Sequence, residues 1–463
     1  MSSGDQMDEQ MRQVLVAGSA TVLAAAAVIP HQDSLQSEIT MCEAAAARGY
    51  FLPDEDEWVK LRYSQYLSLR ASLLTTIEEI GVLAGRGRVE WNLRQPLFAT
   101  AFAAACILMR ANRFIVDLAS KHSVLWKKLD EEDIMCGIPR KSFTTIYQAL
   151  TSPRNQLRFL NAVDHYSKQR DQIFALANDP EMKPIVDLLE KEEPFIEKSR
   201  REVVKRRISY RWFSFLRSHR SAWKNVMRGM FEVSGRAVSE LRQPGIKTMG
   251  APKRIHAELQ KEILKLVQPG DVFVTRHDDA MSNLFLPGFW PHAALFLGKT
   301  ANSTPEWGEL SCADEYGAWF LESKKDGVKV RPSSETLALD ALVVLRPPLF
   351  GSDLQRGLQR ALAHRGKPYD FLFDFRTADR LVCTEVIYRG FHGISPCHFQ
   401  LREVGGRLCL PAEEFINQAL NSGFQLILTA GLEGDVLLTG ADAERAFRAT
   451  RPARAMAVLT TSS

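Results

Sequence analysis

The period of the hydrophobic pattern changes once along this chain, near Gln243-Pro244-Gly245, so the two sides of that point cannot share one layer of structure. From residue 35 to about 245 apolar residues recur at helical steps. After the helix-start pair Pro53-Asp54 come Trp58, Leu61, Tyr66, Leu69, Leu73, Ile77 and Ile80, and then Gly81, Gly85 and Gly87 close the run. Leu97 to Met109 is apolar on every side but only thirteen residues long. That length predicts a buried helix of a bundle and not a membrane span. Lys141 to Phe174 continues in the same style, with a break at Pro153. Past one more helix, Lys253 to Leu266, short apolar runs are separated by turn residues. Pro269-Gly270 precedes a strand from Asp271 to Val274, and Ala293 to Leu297 ends at Gly298. Asp326-Gly327 is a hairpin turn between Trp319–Glu322 and Val328–Val330, and Ala341 to Leu345 is a further strand. The expected class is α+β: a helical domain over 1–250, an α+β domain over 251–440, and a C-terminal tail over 441–463.

Length supports that division, because 463 residues exceed the roughly 150 residues typical of one domain. The net charge of +4 is small for this size and gives no general case for nucleic acid, which is not expected as a partner. The seven cysteines (Cys42, Cys106, Cys136, Cys312, Cys383, Cys397, Cys409) are odd in number, scattered, and lack any CxxC or paired Cys/His spacing. They read as reduced thiols. Cys397-His398 has no neighbours to complete a metal site, so neither a metal nor a cofactor is expected.

Two segments bear on membranes. Val14 to Ile29 is an apolar run of sixteen residues closed by Pro30. It is short for a span, and the segment before it carries Asp5, Asp8 and Glu9 against Arg12, the wrong sign for a signal peptide. A start at Met11 would repair that charge and allow export. Buried helix, signal and anchor all stay open, with a cytoplasmic or membrane-associated protein favoured. From Lys198 to Arg228 there are eleven Lys or Arg, one acid (Glu202), and interleaved Tyr210, Trp212, Phe213, Phe215 and Trp223. A solvated helix face accounts for this composition. An anionic lipid surface, met by Arg206, Arg207, Arg211 and Trp212, is the sharper alternative.

For chemistry the informative stretch is Arg380 to Phe391, RLVCTEVIYRGF. Thr384 and Glu385 suit a first helical turn, Val386, Ile387 and Phe391 a buried face, and Gly390 and Gly393 an end. Cys383 therefore falls at a helix start, where the dipole and free N–H groups favour a thiolate. A cysteine nucleophile needs a base and a group to orient that base. His292 follows Pro291 at the mouth of a short strand, and Glu322 lies on the strand before Asp326-Gly327, where a neighbouring strand could bring its carboxylate beside a histidine. A buried structural cysteine, a strand-end histidine and an exposed glutamate are the plain alternatives.

The series PGDVFVTR, WPHAALFLG, a strand with Glu322 and Asp326-Gly327-Val328, GKPYD, LVCTEVIYRGF and a late LPAEEF resembles the permuted branch of the NlpC superfamily over roughly residues 265–430. These are papain-fold cysteine hydrolases, YiiX/YebB-like, related to lecithin:retinol acyltransferase-like enzymes, in which the histidine strand precedes the cysteine helix. The resemblance implies Cys383 as nucleophile, His292 as base, Glu322 as third polar residue, and Tyr369 as a residue shaping the oxyanion region. It implies a structural role for Asp271. The expected activity is a cysteine-dependent hydrolase or acyltransferase working through a thioester on an amide, ester or thioester bond, with a peptide or lipid-type acyl substrate. A catalytically silent papain-fold module that binds a partner is the competing expectation. HDDAMSNLFLPGF, between the PGD turn and His292, is a possible lid or substrate loop.

Overall fold

The structure is a computed structural model that describes residues 3–29, 35–86, 91–199, 253–278, 289–299, 307, 314–404 and 406–451. The chain divides into two compact units, Met1–Ala222 and Trp223–Ser463. Arg206, Arg207, Arg211 and Trp212, the Lys198–Arg228 patch beyond residue 199, and most of the HDDAMSNLFLPGF loop lie outside the described residues, as does Cys312.

The regular elements of the first unit are helices among its described residues, with one isolated β-bridge between Asp133 and Ile138. Its elements are α1 (Ser3–Val28), α2 (Gln36–Arg48), α3 (Pro53–Arg86), α4 (Trp91–Lys121), α5 (Ser123–Leu129), α6 (Ser142–Thr151), α7 (Pro153–Lys168), α8 (Arg170–Ala175) and α9 over 183–199. α1 packs on both α3 and α4. Leu97, Ala99, Phe102, Ala103, Cys106 and Ile107 of the all-apolar run are buried inside α4, as a core helix requires. Met11, Val22 and Ala25 of α1 are buried while Val16 is exposed, so residues 14–29 bury one face of a helix. Two helices among the described residues, Glu9–Val28 and Leu93–Lys121, are long and apolar enough to cross a membrane. Within the protein 28% of the first window and 61% of the second are buried.

The second unit begins with α10 (Ala257–Leu266), capped by the His256 side chain on the Leu259 N–H. Then come β1 (Val272–Arg276), β2 (His292–Lys299), β3 (Ala318–Lys324), β4 (Gly327–Pro332), a single turn α11 (Ser333–Thr336), β5 (Ala341–Arg346), α12 (Gly351–Leu362) and α13 (Cys383–Phe391). A short hairpin of β6 (Arg402–Val404) and β7 (Arg407–Cys409) precedes α14 (Ala412–Asn421), β8 (Gln425–Ala430), β9 (Leu437–Thr439) and α15 (Gly440–Ala449). Seven strands form one sheet in the order β4-β3-β2-β1-β5-β8-β9, every adjacent pair antiparallel. Both faces are covered. Val272, Val274, Ala293, Leu295, Leu321 and Val343 meet Val386, Ile387 and Phe391 of α13. Phe273, Ala294, Phe296, Phe320 and Val344 meet Leu259 and Ile263 of α10. The strands therefore read as nearly continuous apolar runs, where a half-solvated antiparallel strand would alternate with polar residues.

Two local features hold the cysteine helix and the segment ahead of it. Gly390 stands one residue before the end of its helix, as expected, and is also a close contact: a Cβ there would stand 3.1 Å from both the Ala361 Cβ and the Gly357 carbonyl of α12. Gly327 has φ +95°, and a Cβ on it would stand 2.5 Å from the Lys367 carbonyl. That approach lets Val328 N–H donate to Lys367 O at 2.8 Å and Gly366 N–H to Val328 O at 2.9 Å, clamping Gly366–Asp370 to the β3–β4 hairpin.

The sequence left residues 441–463 as a tail, and the structure corrects this for their first part. α15 buries Ala443, Ala446 and Phe447, and Phe447 stacks on Trp290 at 6.4 Å. The indole of Trp290 donates to Thr450 Oγ1 at 3.2 Å. An Ala-Phe helical face, once paired with a buried tryptophan just ahead of β2, has core to cover.

Candidate active site

Cys383 is the first residue of α13, after an extended Val382 (φ −90°, ψ 171°). The sulfur receives the backbone N–H groups of Thr384, in the first turn, and Ala293, on β2. Glu385, at the third helical position, accepts the N–H of Val382, which is half of a capping box. Its Oε1 also accepts Arg389 Nε–H at 2.8 Å. Arg389 Nη2 in turn donates to the carbonyls of Phe375 and Thr377, both at 3.1 Å. The helix start is thus tied to the loop that precedes it.

The base comes from the sheet. α13 packs on β2 and β3. Leu295 pairs with Leu321 across these antiparallel strands, which makes His292 and Glu322 diagonal neighbours on one face. His292 Nε2 lies 2.8 Å from Glu322 Oε2. The imidazole also hydrogen-bonds Cys383. With Nε2 on the carboxylate, Nδ1 is the nitrogen left for the thiol. β3 continues two residues beyond Glu322, to Lys324, so Glu322 lies inside the strand at 1% exposure and does not end it as the sequence implied. Its Oε1 is 2.7 Å from Lys324 Nζ and 3.4 Å from Arg331 Nε, and it accepts the Thr336 hydroxyl at 3.0 Å. A fully buried carboxylate needs such partners to stay ionised.

Tyr369 is held by a parallel bridge to Leu381, two residues before the cysteine. Burial, followed by the negative charge of Cys383 and that of Asp370, pushes its phenol far up, so it stays protonated beside the sulfur.

The charges of the site agree with this geometry. Burial by itself would push the Cys383 thiol up. The His292 charge, the hydrogen bond to it and the two backbone N–H groups outweigh burial and hold the thiol below its usual range. Burial would likewise lower His292, but the thiolate and Glu322 raise it to about 9. Glu322, against its own burial, falls to about 2 through the hydrogen bond and charge of His292 and the charge of Lys324. Both shifts favour the thiolate–imidazolium pair over the neutral pair. The other described cysteines with resolved shifts go the opposite way: Cys42 rises to about 11, Cys397 to about 12, and Cys106 and Cys409 rise too, burial leading in each case.

The structure therefore brings together the four residues that the resemblance implies for the chemistry: Cys383, His292, Glu322 and Tyr369. Asp271 lies elsewhere, buried and bridging Arg346 (2.7 Å) and the Gln268 N–H (2.8 Å), a structural role. Sequence reasoning missed the supporting residues. Glu413 of the late LPAEEF motif accepts the N–H groups of Phe289 (2.6 Å) and Trp290 (3.1 Å), fixing the turn that delivers His292, and Arg451 pairs with it at 2.8 Å. Lys324, Arg331, Glu385 and Arg389 were equally unmarked. Only Glu385 carried a local signal, three residues after the helix cap. No group of three or more metal-ligating side chains occurs among the described residues. A cavity of about 1050 Å³ in the helical unit, lined by Trp58, Tyr63, Tyr66 and Phe114 among others, includes none of these site residues.

No curated protein and no solved structure matches the chain. Residues 266–404 do match a family model, that of the permuted papain-like amidase enzymes, YaeF/YiiX, C92 family. With its histidine strand ahead of its cysteine helix and an antiparallel sheet between two apolar layers, the segment 266–404 is a permuted papain-like domain of this cysteine hydrolase family.

Proposed function

We propose that this protein is a cysteine hydrolase that cleaves an amide, ester or thioester bond through a thioester on Cys383. The Cys383 thiolate attacks the acyl carbon, and the oxyanion that forms is held by the free backbone N–H of Cys383 in the first turn of α13 and by the Tyr369 hydroxyl. The imidazolium of His292 gives its Nδ1 proton to the leaving nitrogen, oxygen or sulfur, and the thioester on Cys383 remains. Water then loses a proton to Nδ1 and attacks the thioester carbonyl, and Cys383 departs as the thiolate. Glu322 holds the ring in one tautomer and stabilises its charged form, as the acid of a catalytic triad does. A second nucleophile in place of water would make the same site an acyltransferase. The observation that carries this reading is the hydrogen-bonded series Cys383, His292, Glu322, in which the thiol is lowered although it is 6% exposed.

A direct test is rapid quenching of the full-length protein with an activated aryl ester, followed by peptide mass mapping. The acyl mass should appear on Cys383 and leave on treatment with neutral hydroxylamine, and both should vanish in Cys383→Ser. Acyl label spread over several cysteines, or none on Cys383, would refute the proposal.

A further inference from the structure

Beside Tyr369 stands an aromatic loop that the steps above do not use. Three rings of the run Tyr369-Asp370-Phe371-Leu372-Phe373 are half-buried and meet edge to face, Tyr369 with Phe371 at 5.0 Å and Tyr369 with Phe373 at 6.0 Å. The next aromatic, Phe375, behaves differently: it is buried in the core against Tyr388 at 5.7 Å. The loop is firmly built. The Asp370 carboxylate accepts the N–H groups of Leu372 (2.9 Å) and Asp374 (2.7 Å). Arg407 donates to Leu372 O at 2.9 Å, Phe375 N–H to Leu408 O at 2.8 Å, and Asp370 N–H to Leu381 O at 3.2 Å. Within this frame Phe373 has φ +55°, the left-handed region that a bulky side chain rarely adopts. Backbone held in such a region, with its ring left half outside the core, is a feature of ligand-contacting segments. The bridge between Tyr369 and Leu381 puts this wall next to the nucleophile.

We infer that Phe371 and Phe373, together with Tyr369, form an acyl-side subsite that takes an apolar group bonded to the carbonyl under attack. Two sources supply that chemistry, a straight acyl chain and an apolar amino-acid side chain. The inference rests on Cys383 being the nucleophile, as proposed above.

The test uses the full-length protein and reagents that need no known substrate: N-methyl-, N-butyl-, N-octyl- and N-benzylmaleimide. The second-order rate of Cys383 modification, read by mass spectrometry, is divided by the rate with glutathione. This ratio should rise roughly three- to fourfold per methylene over the first carbons, as expected for apolar area leaving water. An octyl preference would identify a chain as the natural group, and a benzyl preference a side chain. Phe373→Gly deletes the ring where glycine accepts the positive φ, so the fold should hold, with the melting temperature as control. That variant and Phe371→Ser should each cut the octyl-to-methyl ratio by about tenfold. A flat series in the wild type, or a slope unchanged in Phe373→Gly with its fold intact, would overturn the subsite. Should Cys383 react no faster than Cys409, the nucleophile reading itself would fall and the subsite with it, a result distinguishable from a flat series on a fast Cys383.

Discussion

In the helical unit, Asp56, Lys60, Lys128, Glu131 and Asp133 are buried together. Lys60 reaches Asp56 at 2.6 Å and Asp133 at 3.2 Å, while Lys128 pairs with Asp56 and Glu131. In the C-terminal unit, Cys383, His292, Glu322, Lys324 and Arg331 form a second cluster of charge. Both clusters are deep, and burial alone tells them apart poorly. In the first, lysines pair with carboxylates, and Asp133 Oδ1 also accepts the Cys136 N–H at 3.0 Å. The second contains a thiol and an imidazole, groups that exchange a proton near neutrality, and its histidine side chain keeps 23% of its surface open. The cysteines teach the same lesson. Cys106 in the helical unit and Cys383 are both removed from water, yet one thiol rises and the other falls. What separates them is a cationic ring and two N–H groups aimed at the sulfur.

Breaking the reactive cluster should have the largest effect. His292→Ala should lower hydrolysis of an activated aryl ester by roughly 10²–10⁴-fold, the usual worth of a general acid–base, without unfolding the protein. Breaking the other cluster should do the reverse. Lys60→Met removes the cation that the buried Asp56 and Asp133 share and should cost about 3–5 kcal/mol of stability, measured by denaturant unfolding, while Cys383 alkylation keeps its rate. A large fall in that rate would mean that the two clusters are coupled.

The pH profile sharpens the comparison further. His292 holds its proton up to about 9, so the imidazolium is present at neutral pH and the alkaline limb of activity should lie near pH 9. The acid limb should lie below the ordinary thiol range, since Cys383 is lowered. Glu322→Gln removes the anion that supports the charged ring, and the alkaline limb should move down by about 1–3 pH units. An unmoved limb would mean that Glu322 only packs there. The smallest effect concerns the frame. Gly327→Ala forces a Cβ toward the Lys367 carbonyl at a positive φ and should cost about 1–3 kcal/mol, read as a lower melting temperature.

Much of the C-terminal unit was legible in the sequence because its elements are short and sharply bounded. Asp326-Gly327 marked the hairpin, and LVCTEVIYRGF marked the helix with its cysteine at the first turn. The supporting residues were not legible, because Glu413, Arg389 and Arg451 act through contacts distant in sequence or aimed at backbone groups. Glu413 caps N–H groups more than 120 residues earlier, and no local pattern announces that. The C-terminal helix was missed because its short Ala-Phe face has meaning only against Trp290. In the helical unit, periodicity revealed the helices but could not show that ordinary lysines and aspartates would be buried as a network.

The most direct measurement is the pH dependence of Cys383 alkylation by iodoacetamide, followed residue by residue in the wild type and in His292→Ala. The account predicts a wild-type midpoint clearly below the roughly 8.5 of a free thiol, and a midpoint above it in the variant, where burial acts without the imidazolium. A wild-type midpoint at or above that value, or one that His292→Ala leaves in place, would contradict it.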